Sequence, residues 1–230
     1  MLVTLVRHTP DPEQAVALAA RLCYSPITIG DLQERMAGGD IRGFLEKILS
    51  LGHHSVLEHA SFTFGIEGIS RVTTHQLVRH RIASFSQQSQ RYVSHKEKFD
   101  VIVPPSIAAD NELSERFSSL IGDIHRLYGE MVEQGVPAED ARYILPNAAE
   151  TKILVTMNAR ELFHFFRLRC CERAQWEIRA MAVEMLKLVR DVAPVIFENA
   201  GPSCLAGPCP EGALTCGKAS QVRAFFENLR

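Results

Sequence analysis

Residues 2 to 6, LVTLV, alternate and are β-branched enough to predict a strand, after which Pro10 and Pro12 open a helical stretch rich in Ala and Leu, roughly residues 13 to 23. Asp40 to Leu51 reads as a second helix, because Ile41, Phe44, Ile48 and Leu51 recur at helical spacing and Gly52 follows as a stop. SFTFGIEG, residues 61 to 68, alternates like a strand with one buried face. A helical run follows from Ser70 to about His80, then a polar segment, 84 to 90, in which neither period is visible. The longest helical pattern spans residues 111 to 133, with Leu113, Phe117, Leu120, Ile124, Leu127 and Met131 as its apolar stripe. GVP at 135 to 137 breaks it and starts a short helix ending near Pro146. TKILVTMN, 151 to 158, has strand composition. Asn158-Ala-Arg-Glu161 has the layout of a capping box, opening a helical pattern that runs to Val192 with a break near Cys171. Residues 201 to 217, with four Gly, three Pro and three Cys, form a turn-rich flap before a last short helix. Helices dominate, with about four strands, and hairpin signals are too weak to order the sheet.

Composition adds scale. With 230 residues, 46% apolar and 23% charged, the chain suits a single domain with a sizeable core, divided here into residues 1–200 and the flap with its terminal helix, 201–230. The formal charge of -2 argues against a chain built to coat nucleic acid or an anionic membrane. That total hides an asymmetry: Arg71, Arg79, Arg81, Arg91 and Lys96 fall within 26 residues that contain no acid. Such an island points to a local anion site. No apolar run approaches the about 20 residues of a membrane span, and Arg7 and Asp11 interrupt the start before a signal-peptide core can form, so a cytoplasmic protein is expected. The six cysteines then read as reduced thiols.

Within the island, RHRIASFSQQSQR (Arg79 to Arg91) gathers three arginines, His80 and six uncharged donors, Ser84, Ser86, Gln87, Gln88, Ser89 and Gln90, a set suited to phosphates and planar bases. On a helix, Gln76, Arg79 and His80 share a face whereas Arg79 and Arg81 diverge by about 200°. Either the helix ends near His80, or the two arginines serve different anions. In the later helix, Arg169 sits among Leu162, Phe165 and Phe166, and a guanidinium there needs a carboxylate, carbonyl or ligand partner. Arg160, His164 and Arg167 lie on the opposite, polar face.

No metal is expected. His53, His54 and His59 in GHHSVLEH lack the spacing of helical zinc sites. Cys204, Cys209 and Cys216 match no common zinc spacing either, and read as structural thiols, with a three-cysteine metal site as the alternative.

Two resemblances bear on function. LVTLVRHTPDPE resembles the strand-then-RH opening of histidine phosphatases, which would make His8 a phosphate acceptor, although Thr9 replaces the usual Gly. RHRIASFSQQSQR more closely resembles the RHRxxSxNxxSxR motif of the flavin-dependent thymidylate synthases, with Ser86 at the Asn position. GHHSVLEHASFTF, GVPAEDARYILP and MNARELFHFFRLRCCERAQWEIR resemble further blocks of that family, in order, over roughly residues 20 to 190.

The second resemblance implies an α/β (α+β) fold, helices packed around a central, largely antiparallel sheet, and a homotetramer with active sites between subunits. It implies a transferase that methylates dUMP to dTMP, with carbon from 5,10-methylenetetrahydrofolate and reducing equivalents from NADPH through bound FAD. Gln76, Arg79, Gln87, Gln88, Ser89, Arg91, Arg142 and Arg169 would hold dUMP, with Arg169 catalytic. His53, Ser55, Arg79, His80, Arg81, Gln87, Asn158, Arg160 and His164 would line the FAD site. Gln87 stands where the family often has Glu, His164 where it often has Asn, and Cys23 where a hydroxyl residue often assists the flavin. A nucleotide-binding regulator that kept the pocket is the non-enzymatic alternative.

Overall fold

In a computed structural model, which describes residues 1–37, 39–93 and 99–229, the chain begins with β1 (Leu2–His8), α1 (Pro12–Leu22), α2 (Ile29–Met36), α3 (Arg42–Ser50) and a 3-10 turn, His54–His59. β2 (Ser61–Ser70), α4 (Arg71–Leu77) and β3 (Ala83–Gln87) follow, then α5 (Pro105–Ala108), the long α6 (Asn111–Glu133) and α7 (Ala138–Ala141). The last third comprises β4 (Glu150–Asn158), α8 (Ala159–Arg169), α9 (Trp176–Val192), α10 (Pro194–Phe197) and α11 (Ala219–Glu227). Lys96 of the basic island lies outside the described residues.

The four strands form one antiparallel sheet in the order β1-β2-β4-β3, flanked by a helix-rich chain, the expected α/β class. Register is fixed by paired polar groups as well as by the buried face: the hydroxyls of Thr63 and Thr156 meet at 2.9 Å, and the Ala159 amide donates to the Ala60 carbonyl at 2.8 Å. β2 alternates as its sequence predicts, with Phe62, Phe64 and Ile66 fully buried. Gly68 interrupts it at φ 69°, and a Cβ there would come within 3.0 Å of the Met1 backbone nitrogen, so this position requires glycine.

The backbone groups into two compact units that interleave in sequence. The first contains Met1–Leu2, Ile66–Arg79 and Ser86–Ile153; the second contains Val3–Gly65, His80–Phe85 and Leu154–Arg230. Ile69, Leu77, Tyr128, Ala141 and Ile153 build the core of the first. In the second, Phe197 of α10 meets Phe62 edge-on at 5.4 Å and stacks on Phe163 at 5.5 Å, and Phe166 lies edge-on to it at 6.1 Å. Truncating such a ring typically costs about 3–5 kcal/mol. The Glu13 carboxylate of α1 accepts from the Val195 and Ile196 amides at 2.6 and 3.3 Å, capping α10.

Three expectations change. The segment 84 to 90 carries a strand, β3, whose Ala83, Phe85 and Gln87 face inward between exposed serines. Its alternation is hidden because one inward side chain is an amide. Residues 29–36 form a helix that no apolar pattern announces; its start is marked by Thr28, whose hydroxyl accepts from the Asp31 amide at 3.2 Å. In α6 the bounds agree with the pattern, but Tyr128 is its only buried residue, and Leu113, Leu120 and Leu127, spaced by seven, are about half exposed. The stripe is a surface seam.

Candidate active site

In the first unit, α4 starts at Ser70, whose hydroxyl caps the Thr73 amide at 3.2 Å, and this places Arg71 in the first turn. Arg71 Nη2 donates to the Gln88 carbonyl at 3.1 Å, while its buried Nε has no hydrogen-bond partner. Burial first, and the like charge of Arg142 second, lower the Arg71 pKa. A guanidinium cannot shed its proton at neutral pH, so two like charges interact while one donor is unsatisfied, a setting that suits an anion. The island's arithmetic included Arg71, but no motif singled it out. Its signal was its place directly after a capping serine.

The other expected nucleotide residues of this unit are held in varied ways. Arg91 pairs with Glu139 at 2.7 Å, both about half exposed, and Arg142 Nε donates to the Glu139 carbonyl at 3.1 Å. An exposed pair of this kind is worth about 0–1 kcal/mol and exchanges easily for a stronger anion. Ser89 Oγ accepts from the Arg91 amide at 3.1 Å. The Gln87 amide donates to the hydroxyls of Thr74 and Thr151 at 3.2 and 3.3 Å. Gln76 donates back to the Val72 carbonyl at 3.4 Å, and Arg79 is exposed. Gln88 lines a cavity of about 310 Å³ with three carboxylates, Glu67, Asp100 and Glu150, and one cation, Lys152, an acidic balance that does not favour phosphate.

α4 ends at Leu77, so the helix does stop before His80; Arg79 belongs to the first unit and Arg81 to the second. In the second unit, a cavity of about 500 Å³ is lined by Cys23, Tyr24, His53, His54, Ser55 and Arg160, among others. It joins three of the residues expected at a flavin with the Cys23 position noted beside them. Arg160 is not merely solvated: its guanidinium pairs with Glu58, tying the GHHSVLEH block to the start of α8. His54 stacks flat on Phe163, ring centroids 6.5 Å apart. Asn158 caps α8 as its sequence predicts, Oδ1 accepting from the Glu161 amide at 2.9 Å.

Glu161 turns instead to His80. Its carboxylate lies 3.1 Å from His80 Nδ1, both side chains nearly fully buried, and Arg169 Nε donates to His80 Nε2 at 3.1 Å. Because Nε2 accepts, the proton of the neutral ring sits on Nδ1 and is given to Glu161. Burial, then the charge of Arg169, then His164 lower the His80 pKa to about 4. Burial raises that of Glu161, with His164 opposing. The pair is therefore a hydrogen bond from a neutral imidazole. His164 meets the His80 ring edge-on at 5.7 Å, and Phe165 does so at 4.9 Å. Thus Arg169, which the resemblance assigns to the nucleotide, is bonded to His80, which the resemblance assigns to the flavin. His80, Glu161 and His164 are also the only described group of three metal-ligating side chains with donor atoms within 4.8 Å of one another. Both ring nitrogens of His80 are already engaged, so the group is a hydrogen-bonded network.

The sign of the pH effect follows. The unfolded ring takes a proton near pH 6.5, while the folded ring refuses it until about pH 4. The stability this contributes is complete above pH 6.5 and is lost as pH falls through that window, by at most about 3 kcal/mol. The raised pKa of Glu161 acts in the opposite sense and offsets part of the loss. We expect the thermal midpoint to fall between pH 6.5 and 4, and His80→Gln to flatten that slope; an unchanged slope in the variant would assign the acid sensitivity to other groups.

Comparison with known proteins gives a consistent outcome. The family model described as thymidylate synthase complementing protein matches residues 4–195. A flavin-dependent thymidylate synthase of Geobacter sulfurreducens is 63% identical over 230 residues, covering 100% of this chain and 99% of its own. Proteins of the same name from Clostridium tetani and Pyrococcus furiosus are 48% and 49% identical, over 97% and 91% of this chain and 96% and 89% of theirs.

Proposed function

The chain belongs to the thymidylate synthase complementing protein family, and from that premise we propose that it converts dUMP to dTMP, with 5,10-methylenetetrahydrofolate as carbon donor and NADPH as reductant through bound FAD. The observation that carries this reading is the hydrogen bond between Arg169 and His80, which links a guanidinium suited to a uracil carbonyl edge with a residue of the flavin set. The match from residue 4 onward makes Arg7 and His8 part of this family's β1, and the phosphatase reading of His8 gives way to it.

The donor chemistry fits the two ligands. Arg71, with its unsatisfied Nε, and Arg142 would take the phosphate of dUMP, joined by Arg79, Ser89 and Arg91 once Arg91 leaves Glu139. Gln76 and Gln87 would complete the nucleotide set. His53, Ser55 and Arg160 line a cavity that would accept part of FAD, with His80, Arg81, Asn158 and His164 as its further contacts. FAD, when bound, supplies the hydride that completes the methyl group. His80 stays neutral near pH 7 and fixes the guanidinium of Arg169, which would stabilise negative charge developing on the activated uracil. Cys170 is unsuited to attack the ring: it is fully buried, and burial pushes its thiol up to about 12.

The quaternary arrangement proposed is a cytoplasmic homotetramer with active sites between subunits. The seam of Leu113, Leu120 and Leu127 on α6 supports it, being apolar, regularly spaced and uncovered within one chain. Sites of that kind would let Arg169 of one chain serve a nucleotide held by arginines of another. Among the described residues, no helix is long and apolar enough to cross a membrane. The test is the visible spectrum of the purified protein: a flavin absorption band, released on denaturation as FAD, is expected, and a colourless protein that neither binds FAD nor gains activity from it would refute the proposal.

A further inference from the structure

Four of the six cysteines, Cys171, Cys204, Cys209 and Cys216, line one cavity of about 230 Å³ in the second unit. Cys171 comes from the connection between α8 and α9, and the other three from the flap. The spacing of the flap thiols alone matched no metal site because the fourth lies 33 residues upstream of Cys204. All six cysteines are free thiols.

The geometry selects among the centres that four thiols can hold. Sulfurs on a single tetrahedral zinc, at about 2.3 Å from the ion, stand roughly 3.8 Å apart and leave no space between them. Here no three of the sulfurs lie within 4.8 Å of one another, although all four residues line one cavity. A polynuclear centre spreads its thiolates in this way, because each binds a different metal atom. We propose that Cys171, Cys204, Cys209 and Cys216 ligate a four-iron iron–sulfur cluster in the cavity that they line.

The surroundings are suited to such a centre. Four thiolates leave the cluster negatively charged, and Arg167, Arg169 and Arg173 line the same cavity. Its two carboxylates, Glu172 and Glu211, are already paired, Glu172 with Arg179 and Lys218, Glu211 with Arg173 at 3.9 Å. Arg223 donates to the carbonyls of Cys204 and Gly207 at 2.8 and 2.7 Å, and Arg173 to that of Leu214, which orders the flap backbone around the thiols. Of residues 201–217 only Pro202 and Cys204 are buried, too little apolar surface to fold this segment alone. A cluster would staple it to the α8–α9 connection, as structural metals do in small loop-rich segments.

The experiment is anaerobic purification of the full chain, with iron, acid-labile sulfide and zinc measured per chain, and electron paramagnetic resonance after dithionite reduction. About four irons and four sulfides per chain, with a resonance from the reduced cluster, are expected. Cys209→Ser and Cys216→Ser should lose most of the iron, while Cys23→Ser, outside the cavity, should keep it. Stoichiometric zinc instead of iron overturns the proposal. So does a wild-type chain whose cavity thiols all react with a thiol reagent under native conditions and which takes up no cluster from iron(II) and sulfide. The wild-type measurements decide the matter even if the serine variants fail to fold, and they do not depend on the flavin reading.

Discussion

Arg169→Ala is expected to lower thymidylate formation by about 10²–10³-fold, the usual cost of removing one charge-stabilising donor, while the purified variant keeps its flavin. The reason lies in what the side chain touches. Arg169 Nε donates to His80 Nε2, so the imidazole fixes the guanidinium plane, and burial lowers the Arg169 pKa without removing its charge. Lysine keeps the charge but cannot reproduce the planar fork, so Arg169→Lys should remain strongly impaired. Arg169 also lines the thiol cavity, and iron content should therefore be measured in both variants, to separate loss of a uracil contact from loss of a cluster. If either variant loses its flavin, Arg169 belongs to the flavin site, and its assignment to the nucleotide fails.

Arg142→Ala should raise the KM for dUMP by about 10–100-fold, the effect of losing one charge-assisted hydrogen bond of about 1.5–3 kcal/mol, with a smaller change in kcat. The same substitution should not destabilise the ligand-free protein. Arg142 and Arg71 repel each other, and a bound phosphate would offset that repulsion. Removing one cation relieves that repulsion, so the thermal midpoint without nucleotide should stay level or rise, and the stabilisation by dUMP should shrink. A matched loss of ligand-free stability would show that Arg142 is structural.

Much of the fold was readable along the chain because its long elements carry clean periods. α6 begins and ends where its apolar pattern does, β2 alternates around Phe62 and Phe64, and the break expected near Cys171 falls between the end of α8 at Arg169 and the start of α9 at Trp176. What the pattern did not convey was which surface covers an apolar stripe: Leu113, Leu120 and Leu127 have the spacing of a core face and lie on the outside of the chain. β3 escaped notice because the inward Gln87 is satisfied by Thr74 and Thr151, hydroxyls brought from two other elements. For the site, the RHR block and the helix after Asn158 named most of the residues, yet Glu161 looked like half of a capping box and is in fact the partner of His80. Arg71 and Cys171 were missed for a common reason. Each acquires its chemistry from neighbours distant in sequence, Arg142 in one case and the flap thiols in the other.

The proposed activity is tested most directly by product formation by the purified chain supplied with dUMP, 5,10-methylenetetrahydrofolate, NADPH and FAD. Thymidylate is expected from the FAD-loaded chain when dUMP, 5,10-methylenetetrahydrofolate and NADPH are all present, and none when any one of the three is left out or the flavin has been removed. Thymidylate formed without flavin, or no thymidylate from a chain that binds FAD with every co-substrate present, would contradict it.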